Sequence, residues 1–288
     1  ALFLRRLLLL ANWTPQQAVW GALAVTLIWA IHPLQVSSVL YIVQRMQTMA
    51  TLFMVLSLWS YLIMRQHQIE GGRGRIQAVG VIVFWFFGLM CKEDAVLLPL
   101  YTLLLELTVL RFQAGKVVMV RGLKQCYSLF VFLAVLAYVF VVVPRFGCWR
   151  DVCFARDFNS GERLLTQGRV LVMYIGQILL PLSDRLPFIY DNYAISRSLW
   201  QPWTTLPSML IVIGLIVWAW CLRHIRPVFA FGVLLFFAGH FVSSNVILLE
   251  MVFEHRNHFP LIGAVLALTD LVLWVSQRLN LGRRVIAI

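Results

Sequence analysis

The sequence predicts an all-α fold, a polytopic bundle of transmembrane helices, on three observations. Hydrophobic residues make up 61% of the 288 residues and charged residues 12%, whereas a soluble domain is nearer half apolar and a quarter charged. The apolar runs are continuous over about 20 residues, the helix length that crosses a bilayer, and a membrane barrel would alternate instead. The basic residues gather in alternate connections between these runs. The length fits one membrane domain spanning residues 1–288.

Eight apolar segments are predicted to span the membrane. They are residues 17–36, 39–64, 76–92, 94–111, 125–144, 205–222, 227–247 and 260–279. Thr14 and Pro15 suit the cap and the first position of the first helix. Residues 1–11 are interpreted as the end of a further helix, and we expect a native helix and its first outer loop to precede Ala1. Without an initiator Met or a charged leader, this opening is not interpreted as a signal peptide.

Charge asymmetry predicts the orientation, because cytoplasmic connections of membrane proteins are enriched in Lys and Arg. One set of connections holds fourteen of the 24 basic residues beside a single acidic residue, Glu70. The opposite set holds nine of the 12 acidic residues, while Glu106 and Asp270 lie within apolar helices. We therefore predict that the basic connections face the cytoplasm. Attraction to anionic lipid accounts for the net charge of +12 without a nucleic-acid partner.

Residues 145–203 are predicted to form an outer loop that contains an interfacial helix. Within it, a narrow polar stripe follows an otherwise apolar helix, at Arg163, Gln167, Tyr174 and Gln177. If this helix crossed the membrane, every later connection would change sides and violate the charge asymmetry. We therefore predict that it lies along the outer surface.

Two further features of this loop leave alternatives open. Residues 181–203 are rich in aromatic side chains, which anchor at a membrane interface or contact a bound acceptor. On the second interpretation, Tyr190 and Asp191 belong to an acceptor loop. Cys148 and Cys153 are close enough in sequence for a local disulfide on an oxidising side of the membrane, although spacing alone does not establish one.

Two polar clusters interrupt the first half of the chain on the predicted outer side. In the first, His32 ends one helix, and Gln44 and Arg45 begin the next, where spacing by four residues aligns Tyr41 with Arg45. The second is Lys92, Glu93 and Asp94, which separate two apolar runs without a turn-forming Gly, Asn or Pro. Because charges within a bilayer are costly, the second cluster predicts a polar cavity or a solvated hairpin tip.

Two more clusters occupy the same side near the end of the chain. His240 precedes Ser243, Ser244 and Asn245, and a buried, hydrogen-bonded role is the simplest interpretation of this histidine. Glu254, His255, Arg256 and His258 follow. The spacing of Glu254, His255 and His258 permits a divalent metal site, but a zinc site needs a third or fourth defined ligand. An anion-binding or hydrogen-bonding role is the alternative.

The four clusters together indicate group transfer from a lipid-linked phosphate. Arg45, Lys92 and Arg256 supply cations at the depth of a lipid phosphate, with His32, Gln44, His240 and His255 as supporting groups. Carboxylates beside them suit a general base that activates an acceptor hydroxyl. Glu93 and Asp94 are the candidates for this base, and the choice between them stays open.

Three ordered motifs resemble a known family. They are His32-Pro33 with Gln44-Arg45, then Lys92-Glu93-Asp94, then Glu254-His255-Arg256. The chain resembles the membrane part of the transmembrane-and-tetratricopeptide O-mannosyltransferases, within the GT-C glycosyltransferases. That resemblance implies a GT-C-like bundle in a bacterial inner membrane with its active face in the periplasm.

The resemblance also implies the reaction and the roles. A sugar would pass from an undecaprenyl-phosphate-type carrier to a periplasmic protein or glycan. Arg45, Lys92 and Arg256 would contact the donor phosphate, and Glu93 and Glu254 would orient these cations or the acceptor. The family's catalytic acid lies in the first outer loop, which is not among residues 1–288. The alternatives are a non-catalytic subunit that keeps the fold and, third, a lipid or solute transporter, although no paired repeat supports transport.

Overall fold

The computed structural model describes residues 1–149, 156–182, 186, 190, 193–247 and 249–279, and this part of the chain contains helices and no strand. The all-α prediction is therefore confirmed. Four helical segments are long and apolar enough to cross a membrane, at Ile42–Ile69, Val117–Phe146, Thr205–Leu222 and Pro260–Arg278. A fifth candidate is a broken one, in which Pro15–Ile31 and Pro33–Leu40 meet at 57°. These helices indicate a multi-pass membrane protein.

Twelve α-helices are numbered here along the described chain. They are α1 Leu2–Leu10, α2 Pro15–Ile31, α3 Val36–Leu40, α4 Arg45–Ile69, α5 Arg75–Cys91, α6 Leu98–Leu105, α7 Val117–Ala137, α8 Val143–Phe146, α9 Ser160–Leu179, α10 Thr205–Leu222, α11 Pro227–Gly239 and α12 Pro260–Arg278. A π-helical turn, Tyr138–Val142, joins α7 to α8. The first span begins as predicted, because Thr14 accepts a hydrogen bond from the Gln17 backbone in a capping box.

Three of the eight predicted spans have no counterpart among the four long segments or the broken pair. Arg75–Cys91 and Pro227–Gly239 are apolar helices below the length of the four long candidates. Residues 94–111 are divided into a 3₁₀ turn, Glu93–Leu97, then α6, then a π-helical turn, Glu106–Leu110. The remaining predicted spans correspond to the four long segments and to the broken pair.

The chain bends between α3 and α4, where the sequence predicted one continuous helix over residues 39–64. Tyr41 is extended, with φ −74° and ψ 121°, and a 3₁₀ turn, Ile42–Gln44, follows it. Because Tyr41 and Arg45 are not on one helix, their predicted alignment is wrong. No Gly or Pro marks this break in the sequence.

Close helix packing positions the rest of the bundle. α4 packs along α5, and α11 packs along α12. Gly232 and Gly263 face each other across the second pair, where a side-chain carbon on either would meet the partner's backbone. Small residues allow such approach in membrane bundles. The buried core lies mainly between these helices, α1, α2 and α6.

Basic residues of the predicted cytoplasmic connections contact one another's helices at one end of the bundle. Arg6 donates to Gln66 at 2.5 Å, Arg111 donates to the His224 carbonyl at 2.8 Å, and Arg65 pairs with Glu106 at 2.6 Å. Arg226 pairs with Asp270 at 2.8 Å. We call this the basic end. Its contacts join segments of the bundle that are distant in sequence.

Candidate functional site

A polar cavity of about 420 Å³ lies at the opposite end of α4 and α5. From Arg45 to Arg65, α4 rises by about 30 Å at 1.5 Å per residue, close to the thickness of a bilayer core. Parts of all four predicted clusters meet in this cavity. The lining residues that the sequence singled out are Tyr41, Gln44, Lys92, Glu93, Asp94, Tyr190, Ser243, Glu250, Glu254, His255 and Arg256.

Lys92 is held in the cavity wall where α5 ends. Its ammonium group forms an ion pair with Asp94 at 3.8 Å and donates to the side chain of Gln47. Gln47 is buried on α4 and also faces the Asp94 carboxylate. Glu93 lies between Lys92 and Asp94 in the sequence. Its side chain is exposed and accepts no hydrogen bond from a described residue. The predicted hairpin tip is therefore one wall of a cavity.

Arg256 supplies the second cation of the cavity. One terminal nitrogen donates to the Glu250 carbonyl at 2.7 Å and to the Met251 carbonyl at 3.2 Å. None of its other N–H groups donates to a described residue. The guanidinium also lies 5.2 Å from the ring centroid of Phe253. Arg256 therefore keeps donors for an anion in the cavity.

Glu254 is oriented by a chain of hydrogen bonds. Gln177 donates to the Tyr190 hydroxyl at 2.8 Å, and that hydroxyl donates to Oε1 of Glu254 at 3.0 Å. Burial raises the pKa of Glu254, and the bond from Tyr190 opposes this shift. Burial also raises the pKa of Tyr190 above its usual value. The hydroxyl therefore remains a donor at neutral pH, as a neutral phenol.

Two other groups of the cavity have pKa values below their usual ranges. Burial, together with Lys92 and Arg256, lowers the pKa of His255 to about 3. His255 is therefore neutral at physiological pH. Glu250 accepts two hydrogen bonds from Arg156, at 3.0 and 2.9 Å, which lower the pKa of its carboxyl group. Glu250 is consequently a weak base.

The polar side chains of α9 hold residues 243–257, which we call the cavity segment. The structure describes all of these residues except residue 248. Arg163 donates to the carbonyls of Asn245, Leu249 and Ser243 at 2.8, 2.6 and 2.9 Å. Tyr174 donates to the Phe253 carbonyl at 3.0 Å and accepts from its N–H at 2.9 Å. The stripe therefore faces the protein. Its side chains, and not the hydrogen bonds of a regular helix or sheet, support the cavity segment.

Three predicted site residues do not line the cavity. Arg45 is exposed at the start of α4, beyond the cavity wall. His32 is buried, accepts from the Leu34 N–H at 3.2 Å and contacts the Ile178 carbonyl at 3.2 Å. His240 is buried against Tyr174, with ring centroids 5.4 Å apart. The two histidines are therefore buried packing groups outside the cavity lining. The structure also does not bring Arg45 together with Lys92 and Arg256.

The predicted metal ligands do not assemble. His258 is directed away from the cavity, toward Gln35, which it contacts through its Nδ1 atom, and Trp29 donates to its carbonyl at 2.7 Å. Glu254 instead binds Tyr190. Among the described residues, no group of three His, Cys, Asp or Glu side chains has the geometry to hold a metal ion. The metal site that the spacing of Glu254, His255 and His258 permitted is therefore not matched by the positions of their side chains.

Some predictions fall on residues outside the described parts of the chain. Asp191, predicted beside Tyr190 in the acceptor loop, is one of them. Cys153 is another, whereas Cys148 is described and is disulfide-bonded. Tyr190 lies in the cavity wall.

Sequence reasoning missed Gln47. This residue lies on α4 between apolar and polar neighbours and carries no charge, so its role becomes visible only through its contact with Lys92. Sequence reasoning recognised Arg163 as polar but not as the support of the cavity segment. Its partners are backbone carbonyls, which have no residue-specific signal.

The fold and the cavity define an all-helical protein with helices able to cross a membrane and a charged site at one end of the bundle. No family model, curated protein or solved structure matches the chain. The function of the chain is therefore inferred from the cavity itself.

Proposed function

We propose that the chain is a membrane glycosyltransferase that moves a sugar from a polyprenyl-phosphate carrier to a periplasmic protein or glycan. The observation that carries this proposal is the cavity in which Lys92 and Arg256 lie beside Glu93, Asp94 and Glu254. Two cations suit a phosphate that gains charge as its sugar leaves. A carboxylate suits removal of the proton from an acceptor hydroxyl. In this proposal the chain is an eight-span, GT-C-like bundle of the bacterial inner membrane, and the cavity faces the periplasm.

An apolar flank supports a lipid-linked donor over a soluble one. Beside the cavity, five aliphatic side chains are between 53% and 75% exposed, and Val43 also lines the cavity. They are Val36, Val39, Leu40, Ile42 and Val43. Large exposed apolar patches mark membrane or ligand contacts. A polyprenyl tail lying on this flank would place its phosphate in the cavity.

Binding of undecaprenyl phosphate to the full chain in nanodiscs tests the proposal. Lys92→Met removes a charge-assisted contact of about 1.5–3 kcal/mol, so we expect affinity to fall by roughly 10- to 100-fold. Arg45→Met is the matched control, because Arg45 is a cation outside the cavity. We expect it to change affinity less than about threefold, since exposed charges contribute little.

Other results would contradict the proposal. Failure of the wild-type chain to bind the lipid would exclude a polyprenyl-phosphate donor. Equal losses in the two variants would indicate a general attraction to anionic lipid. Lipid binding without turnover of a lipid-linked sugar in native membranes would favour the non-catalytic subunit.

A further inference from the structure

Among the acidic residues of the cavity, Glu254 differs in how its carboxylate is held. Oε1 accepts the Tyr190 hydroxyl at 3.0 Å, whereas its other oxygen accepts no hydrogen bond from a described residue. That second oxygen is not sealed in the protein, and the side chain lines the cavity. One oxygen is therefore fixed and the other is open to a ligand, which is the arrangement that a positioned general base needs.

The remaining carboxylates of the cavity suit this task less well. Asp94 is committed to Lys92 at 3.8 Å. Glu250 is held by both terminal nitrogens of Arg156. Glu93 is exposed, and no described side chain orients it. A base that is neutralised by a cation or free to rotate contributes less than one with a fixed direction.

The surroundings of Glu254 come from several elements. Tyr190 precedes the loop into α10, Tyr174 comes from α9, and His255 and Arg256 follow Glu254 on the cavity segment. The other charged and titratable groups that face the same cavity are Tyr41, Lys92, Glu93, Asp94 and Glu250. Lys92 and Arg256 lie on the side where a phosphate would bind. Tyr190 marks the side predicted for the acceptor.

From this arrangement we infer that Glu254 is the general base that removes the proton of the acceptor hydroxyl, with Tyr190 as its positioning residue. The inference rests on the proposed function. As the acceptor oxygen forms its bond to the sugar's anomeric carbon, the bond from that carbon to the phosphate oxygen breaks. The acceptor proton moves to Glu254. The leaving polyprenyl phosphate keeps the bonding electron pair and is stabilised by Lys92 and Arg256.

The experiment uses native membrane vesicles that contain the full chain. The probes are undecaprenyl-phosphoryl-mannose and undecaprenyl-phosphoryl-glucose, and release of undecaprenyl phosphate is measured. We expect Glu254→Gln to slow release about 100-fold or more, as for loss of a general base. Binding of undecaprenyl phosphate should stay within about twofold of wild type, because Glu254 does not contact the phosphate in this scheme. Glu70→Gln is the matched control, because Glu70 is an exposed carboxylate at the basic end, outside the cavity, and it should keep most of the activity.

Tyr190→Phe provides a readout that a purely structural role would not change. The hydroxyl bond lowers the pKa of Glu254, so its removal raises that pKa. Activity that needs the ionised carboxylate is lost as pH falls through this pKa. The acidic limb of the rate profile should therefore move to higher pH in Tyr190→Phe.

The outcomes separate the two claims. Wild-type vesicles that release no undecaprenyl phosphate from either probe overturn the proposed function and, with it, this inference. Active wild type together with an active Glu254→Gln overturns the inference alone. So does a Glu254→Gln that loses lipid binding as well as release, or an unmoved pH profile in Tyr190→Phe.

Discussion

The basic end and the cavity use the same kinds of residue but complete their hydrogen bonds differently. At the basic end, Arg65 and Glu106 are fully buried and paired at 2.6 Å. Arg65 also donates to Gln68 and to the Gln113 carbonyl. Among the described residues, Arg256 in the cavity has two carbonyl partners, both bonded through one nitrogen. Arg65 is thus part of a closed structural network, whereas Arg256 has binding capacity left.

Glu106 shows how complete the network at the basic end is. Its carboxylate accepts from Tyr61 at 2.7 Å and from the Phe112 N–H at 3.1 Å, besides Arg65. Tyr61 in turn contacts the Tyr127 hydroxyl at 2.8 Å. A buried charge is tolerated when its partners satisfy it and becomes costly when one is removed. Variants at the two ends should therefore separate stability from binding.

The largest effect is expected from Arg65→Met. Removing this partner leaves Glu106 charged and buried, which costs about 3–5 kcal/mol of folding stability. Thermal unfolding of the purified chain in detergent measures the loss. The double variant Arg65→Met/Glu106→Leu should recover most of it, because no charge remains uncompensated. A double variant as unstable as the single one would show that packing, not charge, dominates at this end.

Arg163→Met should have the next largest effect. It removes three bonds to carbonyls of the cavity segment, at a cost of about 2–3 kcal/mol for groups left without donors. Unfolding measures the stability, and limited proteolysis should show earlier cleavage within residues 243–257. Arg169→Met is the control on the same helix, because Arg169 donates instead to the Ala194 carbonyl. Equal proteolysis of both variants would contradict the supporting role.

A smaller effect on the cavity is expected from Gln47→Leu. The substitution keeps the approximate size of the side chain but removes the acceptor of Lys92. Lys92 stays charged and keeps its ion pair with Asp94, so we expect a loss of about 1 kcal/mol. Affinity for undecaprenyl phosphate should then fall roughly fivefold, with little change in unfolding. Gln66→Leu is the control, since Gln66 lies on α4 at the basic end. Unchanged affinity in Gln47→Leu would exclude a positioning role.

The smallest effect is expected from Arg156→Gln. Its pair with Glu250 is partly exposed, so its worth is about 1 kcal/mol or less after solvent screening. Because Arg156 lowers the pKa of Glu250, the pair stabilises the protein above the ordinary carboxyl pKa of 4.5. This contribution disappears as pH falls through the lowered pKa. The difference in unfolding between wild type and variant should be largest at pH 7 and should shrink as the pH is lowered below 4.5.

The sequence predicts the cavity better than the basic end, for a physical reason. Charges at Lys92 and Arg256 interrupt apolar runs, and such interruptions are visible without knowledge of contacts. Glu106 is equally conspicuous, but its partner Arg65 lies on another helix, and helix packing is not encoded in local periodicity. Arg45 was misplaced because the bend at Tyr41 has no Gly or Pro to indicate it. Gln47 is neutral, and no local pattern distinguishes it from other helical polar residues.

The attachment of the cavity segment to α9 has a consequence for how this protein can change over evolution. Arg163 and Tyr174 bind main-chain atoms of the segment, and every amino acid except proline offers the same main-chain groups. Many substitutions within the cavity segment would therefore leave these hydrogen bonds to Arg163 and Tyr174 intact. Descendants of one ancestor can thus vary the side chains of this segment while inheriting the same scaffold.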